Sequence, residues 1–318
     1  TLQYLVDIFG DIPYTEALQG NANISPPVTP GQEIYLDLIA TINDALAAYE
    51  ENEVSSDVGQ QDLIYNANME RWIEFANTLK LKLYLRMAYT SQANSAAVME
   101  LMNENNFLTQ DAAFTAFSDA TGKRNPYYEV QIEFLGNVNT VASNSLFEFY
   151  VRNNDPRLDA VFIPNDEGQH GAIDQGEGLS IGQVQANDLS RPNIEPDSPV
   201  YLMTVAESYF LQAEAAVRYA GGTGAKELYD QGVAESFELY GVTGAGELTG
   251  PGGAYEYTAT GNIEEDIEPI IVQKWASLVN LNNIEGWIEA LRTGYPVLTT
   301  EEDPEYEEGR RIVSLASV

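Results

Sequence analysis

Apolar residues recur every three or four positions toward both ends of the chain. Tyr35, Leu38, Ile39, Ile42, Ala45, Leu46 and Tyr49 keep the i, i+3, i+4, i+7 spacing, which predicts one amphipathic helix. Thr29-Pro30-Gly31-Gln32 just before it reads as a capping box with Pro at the first helical position, where a missing N–H costs nothing. From Arg71 to Tyr89, one face carries Trp72, Phe75, Ala76, Leu79, Leu83 and Met87, and the other faces carry Leu81, Leu85 and Ala88. A helix apolar nearly all round is expected to be buried.

The same period returns in Leu202, Val205, Ala206, Tyr209, Ala213 and Ala216. It breaks at Gly221-Gly222-Thr223-Gly224 and resumes in Leu228, Tyr229, Val233 and Phe237, a helix–turn–helix. Small side chains at Ala206, Ala213 and Ala216 let two helices approach closely, as in tetratricopeptide-type hairpins. Ile263, Ile267, Ile270, Ile271, Trp275, Leu278 and Leu281 make another helix. Ile284, Trp287, Ile288 and Leu291 make the next, with Asn282 or Asn283 as its cap and Gly294 past its end.

Between these flanks, from about Gly122 to Pro199, no period is sustained and Asn, Asp, Gly and Pro are frequent. Loops longer than about 12–15 residues are usually functional or disordered. This one holds Tyr127, Tyr128, Phe134, Phe147, Phe149, Tyr150 and Phe162, and so is expected to be ordered and functional. A shorter Gly-rich excursion, Gly244 to Thr260, contains Tyr255 and Tyr257. The fold class expected is all-α: a tetratricopeptide-like scaffold of helical hairpins with long irregular loops and room for a few short strands. One domain is expected over 1–318, with helical repeats at 1–121 and 200–298 around the excursion at 122–199.

The formal net charge of −34 alters the choice of ligand. Because 10% of the residues are aromatic, the acidity does not mark a disordered tail. A surface so negative repels phosphate backbones and anionic headgroups, so nucleic acid and a polybasic membrane contact are disfavoured and a neutral or cationic ligand is expected. The absence of Cys removes disulfides, thiolate metal sites and thiol nucleophiles. No apolar run approaches the roughly 20 residues needed to span a bilayer. The N-terminal residues lack a basic region and a cleavage site, so any export signal is expected to have been removed.

Catalytic patterns are sparse. His170 has no neighbouring Ser or second His in sequence and reads as a solvated loop residue. A calcium loop starting at Asp166 would place Gly171 at the turn and Glu177 last, but Gly168 and His170 stand where two oxygen ligands belong. No metal and no cofactor is expected. Glu285 and Glu289, one turn apart beside Trp287, read as the polar side of an amphipathic helix. Arg71, Lys80, Lys82 and Arg86 share the Trp72 helix and are expected to pair with neighbouring helices. Trp72, Trp275 and Trp287 lie on packing stripes, which leaves the loop aromatics as the ligand candidates.

Five segments together resemble a known family. Phe9-Gly10-Asp11-Ile12-Pro13-Tyr14-Thr15-Glu16-Ala17-Leu18 is similar to FGDxPYxEAL, and the run from Trp72 to Leu81 to W-x-x-FANSLKLR. Asn154-Asp155-Pro156-Arg157-Leu158 is similar to a DPRL turn, and the run from Met203 to Ala216 to MTxAExxFLxAEAA. Gln273-Lys274-Trp275, Glu285-Gly286-Trp287 and Arg292-Thr293-Gly294-Tyr295-Pro296 are similar to QKW, EAW and RRTGYP, with Leu291 in place of the first Arg. In this order they resemble the SusD/RagB family, SusD-like branch, of glycan-binding outer-membrane lipoproteins of Bacteroidetes.

The resemblance implies a tetratricopeptide-like scaffold whose loop-rich face binds oligo- or polysaccharide without catalysis on the outward-facing surface of the outer membrane. It also implies a SusC-like TonB-dependent porin as partner. The lipid anchor would lie outside this chain, since the family's N-terminal and C-terminal parts have no counterpart in it. Alternatives are a tetratricopeptide-type peptide adaptor and, third, a glycoside hydrolase, whose paired carboxylates would be invisible among 49 acidic residues.

Stacking on sugar faces needs exposed rings. Tyr127 and Tyr128 follow Asn125-Pro126, where Pro stiffens the turn and biases Asn125 to extended geometry. If the segment is extended the two rings point to opposite sides. Tyr255 and Tyr257, two residues apart, would share a side of an extended segment and form the alternative platform.

Overall fold

The computed structural model describes residues 1–51, 59, 61–136, 140–174 and 186–297, and within them the chain separates into two compact units, 1–108 and 109–297.

In the first unit, α1 (Leu2–Phe9) precedes a short antiparallel ladder, β1 (Ile12–Pro13) with β2 (Val28–Thr29), and then α2 (Gly31–Glu51), α3 (Met69–Arg86) and α4 (Ser95–Glu104). The capping box expected at Thr29 is not formed. Thr29 is held in the ladder with its Oγ1 accepting from the Thr15 N–H, and the first amide of α2, Gly31, donates instead to Asp11 Oδ1 at 2.9 Å. A side chain twenty positions back thus does the capping, a partner that local spacing does not reveal. Val6, Ile34, Tyr35, Ile39, Leu83 and Met87 form one apolar cluster of this unit. The basic residues of α3 make contacts both with α1 and within their own helix. Arg86 Nε lies 3.4 Å from Asp7 Oδ2 on α1 and Lys82 Nζ stands 5.5 Å over the Tyr4 ring, whereas Arg71 pairs with Glu74 of its own helix.

The second unit holds the hairpin read from the sequence, α7 (Val205–Tyr219) and α8 (Ala225–Leu239), followed by α9 (Ala245–Thr249), α10 (Ile263–Ser277) and α11 (Asn283–Thr293). Ala206, Ala213 and Ala216 are buried as expected of a close helix–helix contact. Opposite them, a Cβ on Gly232 would sit 2.7 Å from the Phe210 ring, so only glycine fits that position. The α7 helix starts at Val205 and not at Leu202. Residues Val200–Met203 form β6, paired antiparallel with β3 (Ala112–Phe114), and Thr204 caps the helix through its Oγ1 to the Glu207 amide at 3.1 Å.

The region 122–199 is less irregular than its composition implies. It contains a π-helix, Tyr128–Phe134, then α5 (Asn144–Arg152), α6 (Arg157–Val161) and a ladder of β4 (Phe162–Ile163) with β5 (Arg191–Pro192). These elements are too short for periodicity to register. The elements α5, α6 and β4 persist because Leu146, Phe149, Tyr150, Val161 and Phe162 are buried in the same apolar core as α7, α8 and α10.

Charges are buried in this unit as well. Arg157 of the DPRL-like turn is fully buried against Asp155, with Nη2 2.6 Å from Oδ2. Glu285 and Glu289 do not form a solvated face: both are buried, and Lys274 Nζ lies 3.2 Å from Glu285 and 3.4 Å from Glu289. Arg292 bridges Glu289 and Glu214 at 2.6 and 2.7 Å. Burial alone would raise the Glu214 carboxyl, but the Arg292 and Arg218 guanidinium groups hold it below its ordinary range.

Candidate functional site

Asn125 organises the start of the π-helix. Its Oδ1 accepts from the amides of Tyr127 and Tyr128 at 2.8 and 3.2 Å, its Nδ2 donates to Ser198 O at 2.8 Å, and its own amide donates to Pro196 O at 2.7 Å. Its side chain is therefore a helix cap, with Pro126 following at the first helical position. Asn125, expected from the sequence as a ligand-binding residue, is 4% exposed, and its side chain is engaged in these bonds within the protein. On the far side, Arg124 ties the helix down by pairing with Asp119 at 2.7 Å, Glu129 at 3.4 Å and Glu133 at 3.3 Å.

Helical geometry changes how the two tyrosines are presented. In extended chain they would face opposite ways, but on a helix adjacent residues diverge by about 100° or, in the wider π-helical turn, somewhat less. Both rings accordingly line one cavity of about 220 Å³, with Gln131 and Ile132 from the next turn. The opposite wall is built from the β4–β5 ladder, where Ile163 pairs with Arg191, together with Pro192, Ile194 and Glu195; Thr140 completes the lining. The mixture is an apolar, aromatic surface with a few convergent polar groups, the composition of a small-molecule site. Arg191 Nη2 lies 3.5 Å from Asp166 Oδ1, a carboxylate that is 84% exposed.

Tyr255 and Tyr257, the alternative platform, belong to the core. They are 5% and 4% exposed. Tyr255 stacks on Phe149 at 5.6 Å and donates its hydroxyl to Asp155 Oδ2 at 2.6 Å, while Tyr257 packs on Tyr229. Glycines on both sides of a segment signal freedom of the backbone, not exposure of the rings between them.

His170 is better held than a solvated loop residue. Nδ1 lies 2.9 Å from Ser190 Oγ and Nε2 3.0 Å from Asp159 Oδ1, an alignment resembling a catalytic triad. Ser190 is fully buried, however, and its Oγ also accepts the Gly171 amide at 3.1 Å, so it is not presented to a substrate. Of the calcium-loop positions, Asp166 faces Arg191 and Glu177 lies outside the described residues. Among the described residues no group of three or more acidic or His side chains is placed to share a metal ion, and no helix is long and apolar enough to cross a membrane.

The second wall carries no signal in the sequence. Arg191, Pro192 and Ile163 sit in strands of two residues, too short for any period, and they meet the tyrosines only through tertiary pairing.

The fold is shared with solved structures. A SusD homologue from Bacteroides uniformis superposes with a TM-score of 0.80 at 27% identity, over 94% of this chain and 68% of its own. A chitin-binding SusD homologue from Flavobacterium johnsoniae gives 0.78 at 25% identity, over 94% and 67%. The chain thus spans about two thirds of the length of these relatives. No curated protein is significantly similar to it in sequence. The model of the SusD-like_2 family, described as starch-binding and associating with the outer membrane, matches residues 1–314, and the chain belongs to that family.

Proposed function

We propose that this chain is a non-catalytic glycan-binding subunit that works on the outward face of the outer membrane and passes oligosaccharide to a SusC-like TonB-dependent transporter. The observation that carries the reading is the cavity in which Tyr127 and Tyr128, set by the Asn125 cap, face the Arg191–Glu195 wall. Aromatic rings supply sugar-stacking surface, and Gln131, Thr140, Arg191 and Glu195 supply donors and acceptors for hydroxyls. The chitin-binding relative and the family's starch-binding description support a carbohydrate ligand. A tetratricopeptide-type peptide adaptor would use the same hairpins without this cavity, and a glycoside hydrolase would release sugar.

One experiment separates these readings. The protein is incubated with a polysaccharide panel, and both retention and reducing-end release are followed. Retention without release, lost in Tyr127→Ala, is the expected result; release overturns the non-catalytic assignment, and no retention overturns glycan binding. Transporter partnership is tested by crosslinking in the native outer membrane, where recovery of a free monomer alone would remove that role.

A further inference from the structure

We infer that the Tyr127–Tyr128 cavity accommodates a single uncharged sugar ring, with Arg191 donating to its hydroxyls and Glu195 accepting from them. This rests on the glycan-binding reading above and specifies its ligand.

Size is the first argument. At about 220 Å³ the cavity falls below the roughly 300 Å³ at which pockets for drug-sized ligands begin. A space of that size suits one pyranose ring. Chain residues beyond the first therefore lie outside the cavity and add little.

Charge is the second. The lining contains one cation, Arg191, and one anion, Glu195, so its own formal charges cancel. Arg191 also has Asp166 within 3.5 Å, which leaves no unbalanced positive charge for a carboxylate or sulfate on the sugar. Salt screens charges beyond about 8 Å, so it is this local balance, and not only the net charge of −34, that sets the preference. A fixed multiple donor beside an acceptor suits neighbouring hydroxyls, each of which both donates and accepts. The wall that presents them is itself anchored, since Arg191 is paired in the β4–β5 ladder and the Glu195 amide donates to Ser198 Oγ at 2.9 Å.

The test is calorimetric titration with malto-oligosaccharides, chito-oligosaccharides and oligogalacturonates, each from one to six residues long. A neutral series should bind with affinity that levels off by the third residue, and oligogalacturonates should bind at least about tenfold more weakly. Arg191→Ala and Glu195→Ala should each weaken the neutral series by about fivefold or more without moving the melting temperature. Three results would overturn the inference while leaving glycan binding in place: galacturonates binding as well as or better than the neutral series, affinity climbing steadily to six residues, or both variants binding like wild type. Failure of the underlying reading looks different. In that case no series binds the wild-type protein and the polysaccharide panel retains nothing, which removes the single-ring site as well.

Discussion

Replacing Arg157 by Met tests how the second unit is held together, because the substitution keeps an unbranched, flexible apolar stem while deleting the charge and its donors. Arg157 Nε lies 3.1 Å from each Asp155 oxygen. Nη1 donates to Ser236 Oγ of α8 and Nη2 to Gln273 Oε1 of α10, both at 2.9 Å. The guanidinium carbon also stands 4.7 Å from the Phe237 ring centroid. One side chain therefore joins the DPRL-like turn to two scaffold helices. In Arg157→Met the Asp155 carboxylate stays buried with the Tyr255 hydroxyl and the residue-157 amide as its remaining donors.

Leaving one partner of a buried ion pair uncompensated costs about 3–5 kcal/mol. For a unit of this size each kcal/mol moves the midpoint by roughly 2–4 °C, so a fall of roughly 6–20 °C is expected. Thermal unfolding followed by tryptophan fluorescence in a Trp72→Phe background, which leaves Trp275 and Trp287 as reporters, measures the fall, and urea unfolding of the same protein measures the free-energy loss. The double variant Asp155→Asn with Arg157→Met should recover most of the loss, because the buried charge is gone while an acceptor for Tyr255 remains. A single variant costing less than about 1 kcal/mol, or a double variant as unstable as the single, would refute the reasoning.

Trp275 packs edge-on to Phe149 at 6.0 Å, so Trp275→Ala should cost about 3 kcal/mol while folded molecules keep their glycan affinity; a wild-type melt with lost binding would reverse that division of roles. Asn125→Ala removes the cap of the pocket helix, which should cost about 1 kcal/mol and weaken oligosaccharide titrations through the displaced tyrosines, and an unchanged affinity would show that the cap does not set the rings. Burial first, and then the Asp266 carboxylate, push the Tyr257 phenol up to about 12 from its ordinary 10. Because the fold favours the neutral phenol, this group's contribution is intact below pH 10 and is lost as pH rises toward 12. Tyr257→Phe should therefore flatten the decline in urea midpoint between those values, and an identical decline would contradict it.

The local pattern of the chain determined much of this architecture. Residues at helical spacing, with caps and glycine breaks at their ends, set α7, α8, α10 and α11 to within a few positions, because periodicity, capping and turn chemistry act over neighbours in sequence. The five family-like segments were legible for the same reason. The tyrosines at 127 and 128 stand out through the Asn-Pro before them, although that spacing suggests extended backbone and the segment is helical.

What stayed hidden depends on partners distant in the chain. Tyr255 resembled a loop platform until Asp155, one hundred residues away, took its hydroxyl. Glu285 and Glu289 resembled a wet face until Lys274 and Arg292 neutralised them inside the core. Arg191 carried no signal until a two-residue ladder set it opposite the pocket helix. Spacing along a helix says which side chains share a face, whereas whether that face meets water, a counter-charge or a cavity is decided only when the other elements pack against it. The sequence therefore determined the helices and the aromatic supply, and tertiary packing alone decided which rings are core and which line a site.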